Sequence, residues 1–300
     1  MIVATEKDLP SNNIGKKLLE LSDFKEYSET PFKTYKKGED LIVWHKEDLI
    51  FATDMDNYYD AEAYIFIFRH KSKNNEPILT IHSCGNPTSK PMREGNPFEL
   101  AYTDSALMLT ILKNLEKRVP EGFKVMYEAT HHSPTNLSKP VMFVEIGSVD
   151  EHYNNLKAIE AVAESILAFL ENPKTECKSC IGFGGGHYAD RFTRRAIDEN
   201  MAFGHIIPSY TFNDTNAKVI KQAIEKTKDC KYVVIDTRNQ GKQEEREPLI
   251  KAMEELGMEI IKLKWIFGIK RKTNDTTNEY NLIFIEVNKK LYSYFSPYVV

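Results

Sequence analysis

Hydrophobic residues follow two spacings along the chain, and each spacing predicts one type of secondary structure. Short apolar runs predict buried strands at residues 2–5, 41–44, 49–52, 64–68, 78–81, 123–127, 141–146, 232–235, 259–263 and 282–286. Apolar positions three or four residues apart predict helices that begin near Ser11, after Asp104 and after Ser148, and others over 191–199, 217–226 and 245–256. Ser148 and Glu151 have the spacing of a capping box.

The order of these elements indicates the fold class. From residue 104 onward strands alternate with helices, which is typical of an α/β protein whose mixed, largely parallel sheet is covered on both faces. No linker rich in Pro, Gly or Ser divides the chain, so we predict a single domain over residues 1–300. The first hundred residues are richer in strands, and we expect them to form an edge or a lid.

Composition narrows the class of protein. The chain has 300 residues, 41% of them hydrophobic, with 16 Phe and 15 Tyr, and this predicts a folded chain. The net charge of −4 argues against a general nucleic-acid binder, although a local basic face remains compatible with it. Four cysteines are too few for a disulfide scaffold and indicate a reducing compartment. Cys177 and Cys180 lack the second pair that a structural zinc site needs.

Neither a signal-peptide pattern nor a membrane-spanning run is visible in the sequence. The first residues lack a basic segment followed by a long apolar one. No apolar run approaches the roughly 18 residues that a spanning helix needs. We therefore expect a cytoplasmic protein without a membrane partner.

Residues suited to catalysis follow four of the predicted strands or lie near their ends. His70 and His82 each follow an apolar run, residues 128–132 follow another, and Glu145 lies near the end of a fourth. In open α/β sheets the ligand site lies outside the carboxyl ends of the strands. We therefore predict that these four segments converge on one site.

The segment Glu128-Ala-Thr-His-His132 has the residue types of a metal or acid–base site. Neutral imidazole is a common zinc ligand, and catalytic zinc takes three His, Glu or Asp ligands together with water. If the segment is extended, His131 and His132 point to opposite faces, so that only one of them contacts a given ion. The alternative is a pair of polar loop histidines without a special role.

Glu145 is a carboxylate inside an otherwise apolar strand. Burial of a carboxylate is costly unless it is paired or binds a cation. We interpret Glu145 as a metal ligand or general base. The alternative is a strand-end carboxylate bonded to a nearby Lys or Arg.

A glycine-rich segment, Gly182-Phe-Gly-Gly-Gly-His187, forms a second candidate centre. Its glycines allow close approach of a ligand to backbone N–H groups. It lacks the Gly-Lys-Ser/Thr of a Walker loop, and His187 occupies the third glycine position of the dinucleotide motif. Because Arg191, Arg194 and Arg195 follow, we predict a phosphate- or sugar-binding edge, with a simple turn as the alternative.

Two further features leave alternatives open. His205 is either a site residue or a hydrogen-bonded core histidine. A basic stretch around Trp265 is either a solvated face or a contact for a nucleic-acid backbone. That stretch contains Lys262, Lys264, Lys270, Arg271 and Lys272.

Several of these segments together resemble one known family. They are His131-His-Ser-Pro-Thr135, Lys139-Pro, Phe143-Val-Glu-Ile-Gly-Ser148, Gly184-Gly-Gly-His-Tyr188, Arg69-His70, Thr80-Ile-His82 and Gly204-His205. Between about residues 65 and 210 the chain is similar to the archaeal and plant type of D-aminoacyl-tRNA deacylase. Ser133 stands where relatives are expected to have Gly.

The resemblance implies an activity, a cofactor and a fold. The activity is hydrolysis of the ester between a D-amino acid and the 3′ end of tRNA, and the implied cofactor is zinc. The implied fold is a three-layer α/β sandwich similar to the phosphorylase/peptidyl-tRNA hydrolase group. We expect D-aminoacyl-tRNA as the partner, no obligate protein partner, and a monomer.

We assign the candidate residues to three roles. The predicted metal ligands are His82, Glu128 and His131, and the predicted catalytic residues are His132, Glu145 and His187. The predicted substrate-binding residues are Lys139, Gly184, Gly185, Gly186, Arg191 and His205, with the glycine N–H groups facing the oxyanion. The alternative function is a nucleoside- or peptide-directed metallohydrolase or phosphorylase on the same architecture. A non-catalytic tRNA-binding module is disfavoured, because it would leave the histidines without a role.

Overall fold

The computed structural model describes residues 1–91, 94–173, 175–238 and 241–263. The predicted strand at 282–286 lies outside the described residues, as do Lys264, Lys270, Arg271 and Lys272.

The strands form two principal sheets and a short two-stranded one. They are β1 (Ile2–Thr5), β2 (Lys25–Ser28), β3 (Lys33–Lys37), β4 (Asp40–His45), β5 (Tyr64–His70), β6 (Ile78–Ser83), β7 (Gly85–Asn86), β8 (Glu99–Leu100), β9 (Lys124–Tyr127), β10 (Val141–Gly147), β11 (Lys178–Phe183), β12 (Met201–Ile207), β13 (Tyr232–Asp236) and β14 (Glu259–Leu263).

The larger sheet has eight strands in the order β2-β3-β4-β1-β5-β10-β6-β9. Its centre is parallel, because β4, β1, β5 and β10 run in one direction. The direction then reverses, since β6 is antiparallel to β10 and β9 is parallel to β6. At the other end, β2 and β3 add two antiparallel pairings.

The smaller principal sheet is entirely parallel. Its order is β12-β11-β13-β14, so the chain leaves the central strand β11 first to one side and then to the other. β7 and β8 form the two-stranded sheet.

Within the described residues, seven α-helices cover these sheets, and local side chains fix where several of them begin. They are α1 (Leu9–Glu20), α2 (Ser105–Arg118), α3 (Asp150–Tyr153), α4 (Leu156–Glu171), α5 (Asp190–Glu199), α6 (Ala217–Glu225) and α7 (Gln243–Glu255). Asp8 caps α1 by accepting the N–H of Ser11, and Asp104 caps α2 by accepting the N–H groups of Ala106 and Leu107. Among the described residues, no helix is long and apolar enough to cross a membrane.

Alternating side chains of β5 divide the larger sheet into two faces. Ile65 and Ile67 pack in the cluster formed with α1, α2 and α4, and this cluster also includes Phe203 of the smaller sheet. Phe66 and Phe68 point to the opposite face. The candidate site lies on this second face.

The structure confirms the α/β class and corrects four details of the prediction. The strands divide between two principal sheets instead of forming one, because β11 to β14 pair among themselves. Residues 49–51 form a 3-10 turn and not a strand. The capping box at Ser148 does not form, because the Ser148 hydroxyl donates to the carbonyl oxygen of Glu76 and Asn155 caps α4. The sequence pattern does not predict the strands β2, β3, β7, β8, β11 and β12.

Candidate functional site

The candidate catalytic side chains lie on one face of the larger sheet, where β10 runs antiparallel to β6. Glu145 of β10 lies beside Phe68 of β5, and Phe143 lies beside His82 of β6. Residues that pair directly in a sheet point to the same face. His70 comes two residues after Phe68, so it also points to this face.

The predicted convergence is observed, but its expected cause is wrong. We expected all four segments to meet at one carboxyl edge. Because β6 and β9 run opposite to β5 and β10, their carboxyl ends lie at the other edge of the sheet. The side chains meet because they share a face over the antiparallel junction.

Gly147 makes room for the ring of His70. A Cβ atom at this position would lie 2.7 Å from His70 Cδ2 and 3.1 Å from Ile78 Cγ2. Such contacts are shorter than van der Waals distances. The glycine at the end of β10 therefore allows His70 to lie over the sheet beside Glu145.

Glu128 follows β9 and lies between two histidines. Its Oε1 is 3.0 Å from His70 Nδ1, and its Oε2 is 2.8 Å from His187 Nε2. His187 comes from the segment after β11, and its carbonyl oxygen accepts the N–H of Ala129 at 2.8 Å. Both principal sheets therefore contribute to the centre.

His131 and His132 face the same side, contrary to our prediction. The backbone of His132 has φ = +42°, so the segment is not extended and the alternation of side chains does not apply. The two rings are 4.4 Å apart, and they lie 4.1 and 4.9 Å from the ring of His82. Ligand atoms of the three histidines all lie within 4.8 Å of one another.

Backbone carbonyls fix the orientation of these three rings. His82 Nδ1 lies 3.1 Å from the carbonyl oxygen of Ser83, His131 Nδ1 lies 2.8 Å from that of Ala129, and His132 Nδ1 lies 2.7 Å from that of Ser133. A carbonyl only accepts, so in each neutral ring Nδ1 donates and Nε2 carries the lone pair. Metal-binding histidines commonly have this arrangement.

The two carboxylates of the centre are buried, and the histidines around them favour their ionised forms. Burial raises their pKa values, but neighbouring histidines hold the pKa of Glu128 well below its usual range and lower the pKa of Glu145. Burial opposes ionisation of His70 as well, yet the two carboxylates outweigh it and raise the pKa of His70 to about 12. Burial holds the pKa of His131 well below its usual range, which keeps that ring neutral.

The donor atoms of the centre fit a divalent metal ion. Three sets place their ligand atoms within 4.8 Å of one another: His82, His131 and His132; His70, Glu128 and His187; and His82, Glu128 and Glu145. In the described part of the chain, the buried His82 Nε2 has no hydrogen-bond partner, and it lies 3.6 Å from Glu145 Oε1. Imidazole nitrogens and carboxylate oxygens are the ligands that zinc prefers outside thiolate sites.

The glycine segment lies beside this centre, and part of its backbone is hydrogen-bonded to other residues of the protein. The N–H of Gly184 donates to the carbonyl oxygen of Ile207 at 2.9 Å, so it is directed away from a substrate oxyanion. The carbonyl oxygen of Gly185 accepts both the N–H and the hydroxyl of Ser209. Gly186 has open space around its Cα. The predicted oxyanion role therefore remains a prediction for Gly185 and Gly186.

Two of the predicted substrate-binding residues, Arg191 and Lys139, are cations that lie in different parts of the fold. Arg191 lies at the start of α5 and donates to the buried carboxylate of Asp236 at 2.5 Å. Lys139 precedes β10, at the opposite end of that strand from Gly147, and pairs with exposed Asp60 at 3.0 Å. Their roles in substrate binding remain predictions.

His205 is a buried histidine with both ring nitrogens hydrogen-bonded. Its Nε2 lies 3.0 Å from the carbonyl oxygen of Ala101, and its Nδ1 lies 3.0 Å from Ser83 Oγ and 3.2 Å from Thr130 Oγ1. Burial lowers the pKa of His205 to about 4, so the ring is neutral. Because Ser83 adjoins His82 and Thr130 adjoins His131, His205 links two segments of the centre and makes no contact of its own with the site.

Two residues of the centre had no assigned role in the sequence. The sequence places His70 at a strand end and Tyr188 within a motif, and it indicates no role for either residue. The Tyr188 hydroxyl lies 2.8 Å from His70 Nε2, while His70 Nδ1 faces Glu128 and Glu145. Both residues lie in segments that carry the family resemblance, and this is the feature of the sequence that points to them.

Comparison with known proteins places this centre within one family. The family model described as D-aminoacyl-tRNA deacylase matches residues 57–261. The chain belongs to the D-aminoacyl-tRNA deacylase family. A D-aminoacyl-tRNA deacylase of Archaeoglobus fulgidus is 34% identical over 271 residues, with 88% of this chain and 96% of the relative covered. One of Pyrococcus horikoshii is 36% identical over 275 residues, with 87% and 99% covered.

A solved structure with a similar sequence has the same fold. A crystal structure of a conserved protein of unknown function is similar with a TM-score of 0.82 and 32% identity, and the match covers 87% of this chain and 94% of that one. The family predicted from the sequence motifs is therefore confirmed. The matched residues include the whole histidine–carboxylate centre. We use this name for His70, His82, Glu128, His131, His132, Glu145 and His187.

Proposed function

We propose that this chain hydrolyses the ester bond of D-aminoacyl-tRNA, releasing the D-amino acid and tRNA in the cytoplasm, with zinc held in the histidine–carboxylate centre. Family membership supports the substrate class. The observation that supports the metal is the set His82, His131 and His132, whose ligand atoms lie within 4.8 Å of one another and whose Nδ1 atoms face backbone carbonyls. Glu128 and Glu145 supply the negative charge beside them.

In this proposal, the zinc ion would activate water and the ester, and the side chains would transfer the proton and orient one another. Zinc in such a site lowers the pKa of a bound water and polarises the ester carbonyl. His187 has a third of its side chain exposed, and its Nε2 faces Glu128. In this proposal its Nδ1 takes a proton from the attacking water and delivers it to the ribose oxygen that leaves when the ester bond breaks. Glu128 orients the ring of His187, and Glu145 orients His70 and His82.

Metal dependence is the first test. Protein stripped with a chelator should lose deacylation of D-tyrosyl-tRNA and regain it with zinc. Full activity in a sample shown to be free of metal would contradict the zinc proposal and favour base catalysis by a histidine.

Chirality is the second test. Exchange of two groups on the α-carbon moves either the amine or the side chain into a wall of the site, so L-tyrosyl-tRNA should be spared. Similar kcat/KM values for the D- and L-esters would indicate a general esterase. Release of a nucleoside or a peptide product would instead support the alternative metallohydrolase function.

Single variants separate chemistry from binding. We expect folded His187→Ala to bind tRNA normally and to lose roughly 10²–10⁴ in kcat, the usual contribution of a positioned acid or base. His132→Ala should lose zinc as well as activity. Wild-type kcat in folded His187→Ala would mean that the glycine–histidine segment is structural.

Replacement of Lys270, Arg271 and Lys272 by Ala tests whether the basic stretch contacts the tRNA. An unchanged KM at every salt concentration would mean that the tRNA binds elsewhere.

A further inference from the structure

Tyr210 is a large aromatic side chain that remains half exposed beside the centre. It lies in the 3-10 turn Ser209–Thr211 that follows β12, and its exposed fraction is 52%. Its neighbours in the turn, Ser209 and Thr211, are both buried. The fold therefore presents this one ring of the turn to solvent.

The turn that carries Tyr210 is held in place on both sides. Ser209 donates its N–H and its hydroxyl to the carbonyl oxygen of Gly185, at 3.1 and 2.9 Å. After the turn, Phe212 stacks on Phe183 with ring centroids 4.1 Å apart and an interplanar angle of 11°. A turn fixed at both ends holds an exposed ring in a defined position, which is what a binding surface requires.

These contacts place the turn that carries Tyr210 beside the glycine segment that precedes His187. Gly185 lies two residues before His187, whose Nε2 is 2.8 Å from Glu128. Burial of the phenol, together with the charge of Glu128, raises the pKa of Tyr210 to about 12. About half of the residue remains exposed to solvent.

We propose that the ring of Tyr210 is a stacking surface for the adenine base at the 3′ end of the tRNA. This inference rests on the proposed function, because it assumes that the ester lies among the buried histidines. The aminoacyl group then lies among the buried histidines, and the nucleotide that connects it to the rest of the tRNA passes the exposed ring of Tyr210. Single-stranded bases are commonly bound by stacking on aromatic side chains, and the contact does not need charge.

Substitution of the ring is the first arm of the test. Tyr210→Ala should raise KM for D-tyrosyl-tRNA and Kd for uncharged tRNA by the same factor, roughly 5- to 150-fold, the range expected for loss of one stacked base. Tyr210→Phe keeps the ring and should behave as wild type in both measurements. Tyr27→Ala is the matched control, because Tyr27 is 63% exposed and lies on β2 at the far edge of the larger sheet.

Removal of the base is the second arm. Uncharged tRNA that lacks its terminal adenosine should bind wild-type protein more weakly than intact tRNA, and Tyr210→Ala should no longer distinguish the two. If only KM for the charged tRNA rises, Tyr210 contacts the aminoacyl group, and the proposal is wrong. If Tyr210→Ala distinguishes the two tRNAs as well as wild type does, the base lies elsewhere. Failure of wild-type protein to cleave D-tyrosyl-tRNA would instead contradict the proposed function.

Discussion

At the scale of single residues, the centre depends on a glycine that carries no functional group. Gly147 leaves the space that the ring of His70 occupies, and His70 faces both buried carboxylates. A methyl group at this position would have to displace the imidazole, because the strand backbone beneath it is fixed by β5 and β6. The position of His70 therefore depends on the absence of a side chain at Gly147 of the neighbouring strand.

We expect Gly147→Ala to lower kcat by roughly 10²-fold, since displacement of a positioned group by about 1 Å can have an effect of that size. The measurement is single-turnover deacylation. Gly15→Ala is the control, because its Cβ would lie 2.6 Å from Trp44 Cζ2, an equally short contact in the core far from the centre. It should lower stability and leave kcat of the folded protein unchanged. Equal kcat losses in the two variants would assign the effect of Gly147 to stability.

His205 gives a second prediction at this scale. Its hydrogen bonds to Ser83 and Thr130 hold the residues that adjoin His82 and His131. His205→Phe should weaken zinc binding and lower the free energy of unfolding by about 1–3 kcal/mol for each buried polar group left unpaired. His205→Asn keeps an amide near the position of Nδ1 and should recover part of the zinc affinity. Wild-type zinc affinity in both variants, measured by calorimetry, would limit His205 to a structural role.

The identity of the centre was predictable from the sequence, and its geometry was not. Histidines and carboxylates after apolar runs predicted where the chemistry lies, and all six predicted metal and catalytic residues meet there. The rule of alternating side chains failed at His132, because a single left-handed residue reverses the direction of a ring. His205 has the same residue type as the site histidines, and only its three partners show that it is not one of them.

At the scale of elements, strongly periodic segments were predictable and interrupted ones were not. α2 begins at its predicted cap Asp104, and β1 and β14 have their predicted bounds. β11 was missed because Lys178-Ser-Cys begins it with small and polar residues, and Gly204-His205 interrupts the apolar run of β12. Without these two strands, the four-stranded parallel sheet could not be recognised.

The start of α1 provides a prediction about pH. Asp8 caps this helix and pairs with Arg69, but burial outweighs both contacts and raises the pKa of its carboxyl to about 6. The folded state therefore binds a proton more tightly than the unfolded state does, and the stability from this group is lost as pH rises from about 4 to about 6. Asp8→Asn keeps an acceptor for the cap and removes the titration.

We therefore expect Asp8→Asn to gain stability relative to wild type as pH rises from 4 to 7, by up to roughly 3 kcal/mol for a shift of about two pKa units. Urea unfolding at the two pH values measures this difference. Asp60→Asn is the control, since that carboxylate is exposed and pairs with a surface lysine, Lys139. A constant difference between Asp8→Asn and wild type at both pH values would contradict the prediction.

At the scale of the whole molecule, the centre joins the two principal sheets. His70, Glu145 and His82 belong to the larger sheet, and His187 follows β11 of the smaller one. Backbone hydrogen bonds from Ala129 to the carbonyl of His187 and from Ala189 to that of Tyr127 fasten the two parts together around Glu128. A ligand held by this centre would therefore stabilise the contact between the sheets as well as each sheet.

This arrangement predicts that zinc stabilises the fold as a whole. The donors come together only in the folded chain, so zinc at a hundredfold excess over its Kd should raise the free energy of unfolding by roughly 2.7 kcal/mol. We expect one cooperative thermal transition that moves to higher temperature, because the sheets share the core cluster as well as the site.

Two variants and a second metal test where the ion binds. His82→Ala should abolish the shift. His152→Gln should keep it, because the ring of His152 accepts the N–H of Ser148 outside the centre. Magnesium, which prefers oxygen ligands, should have little effect. A zinc shift that survives in His82→Ala would mean that the ion binds elsewhere, and two separate transitions would show that the sheets unfold independently.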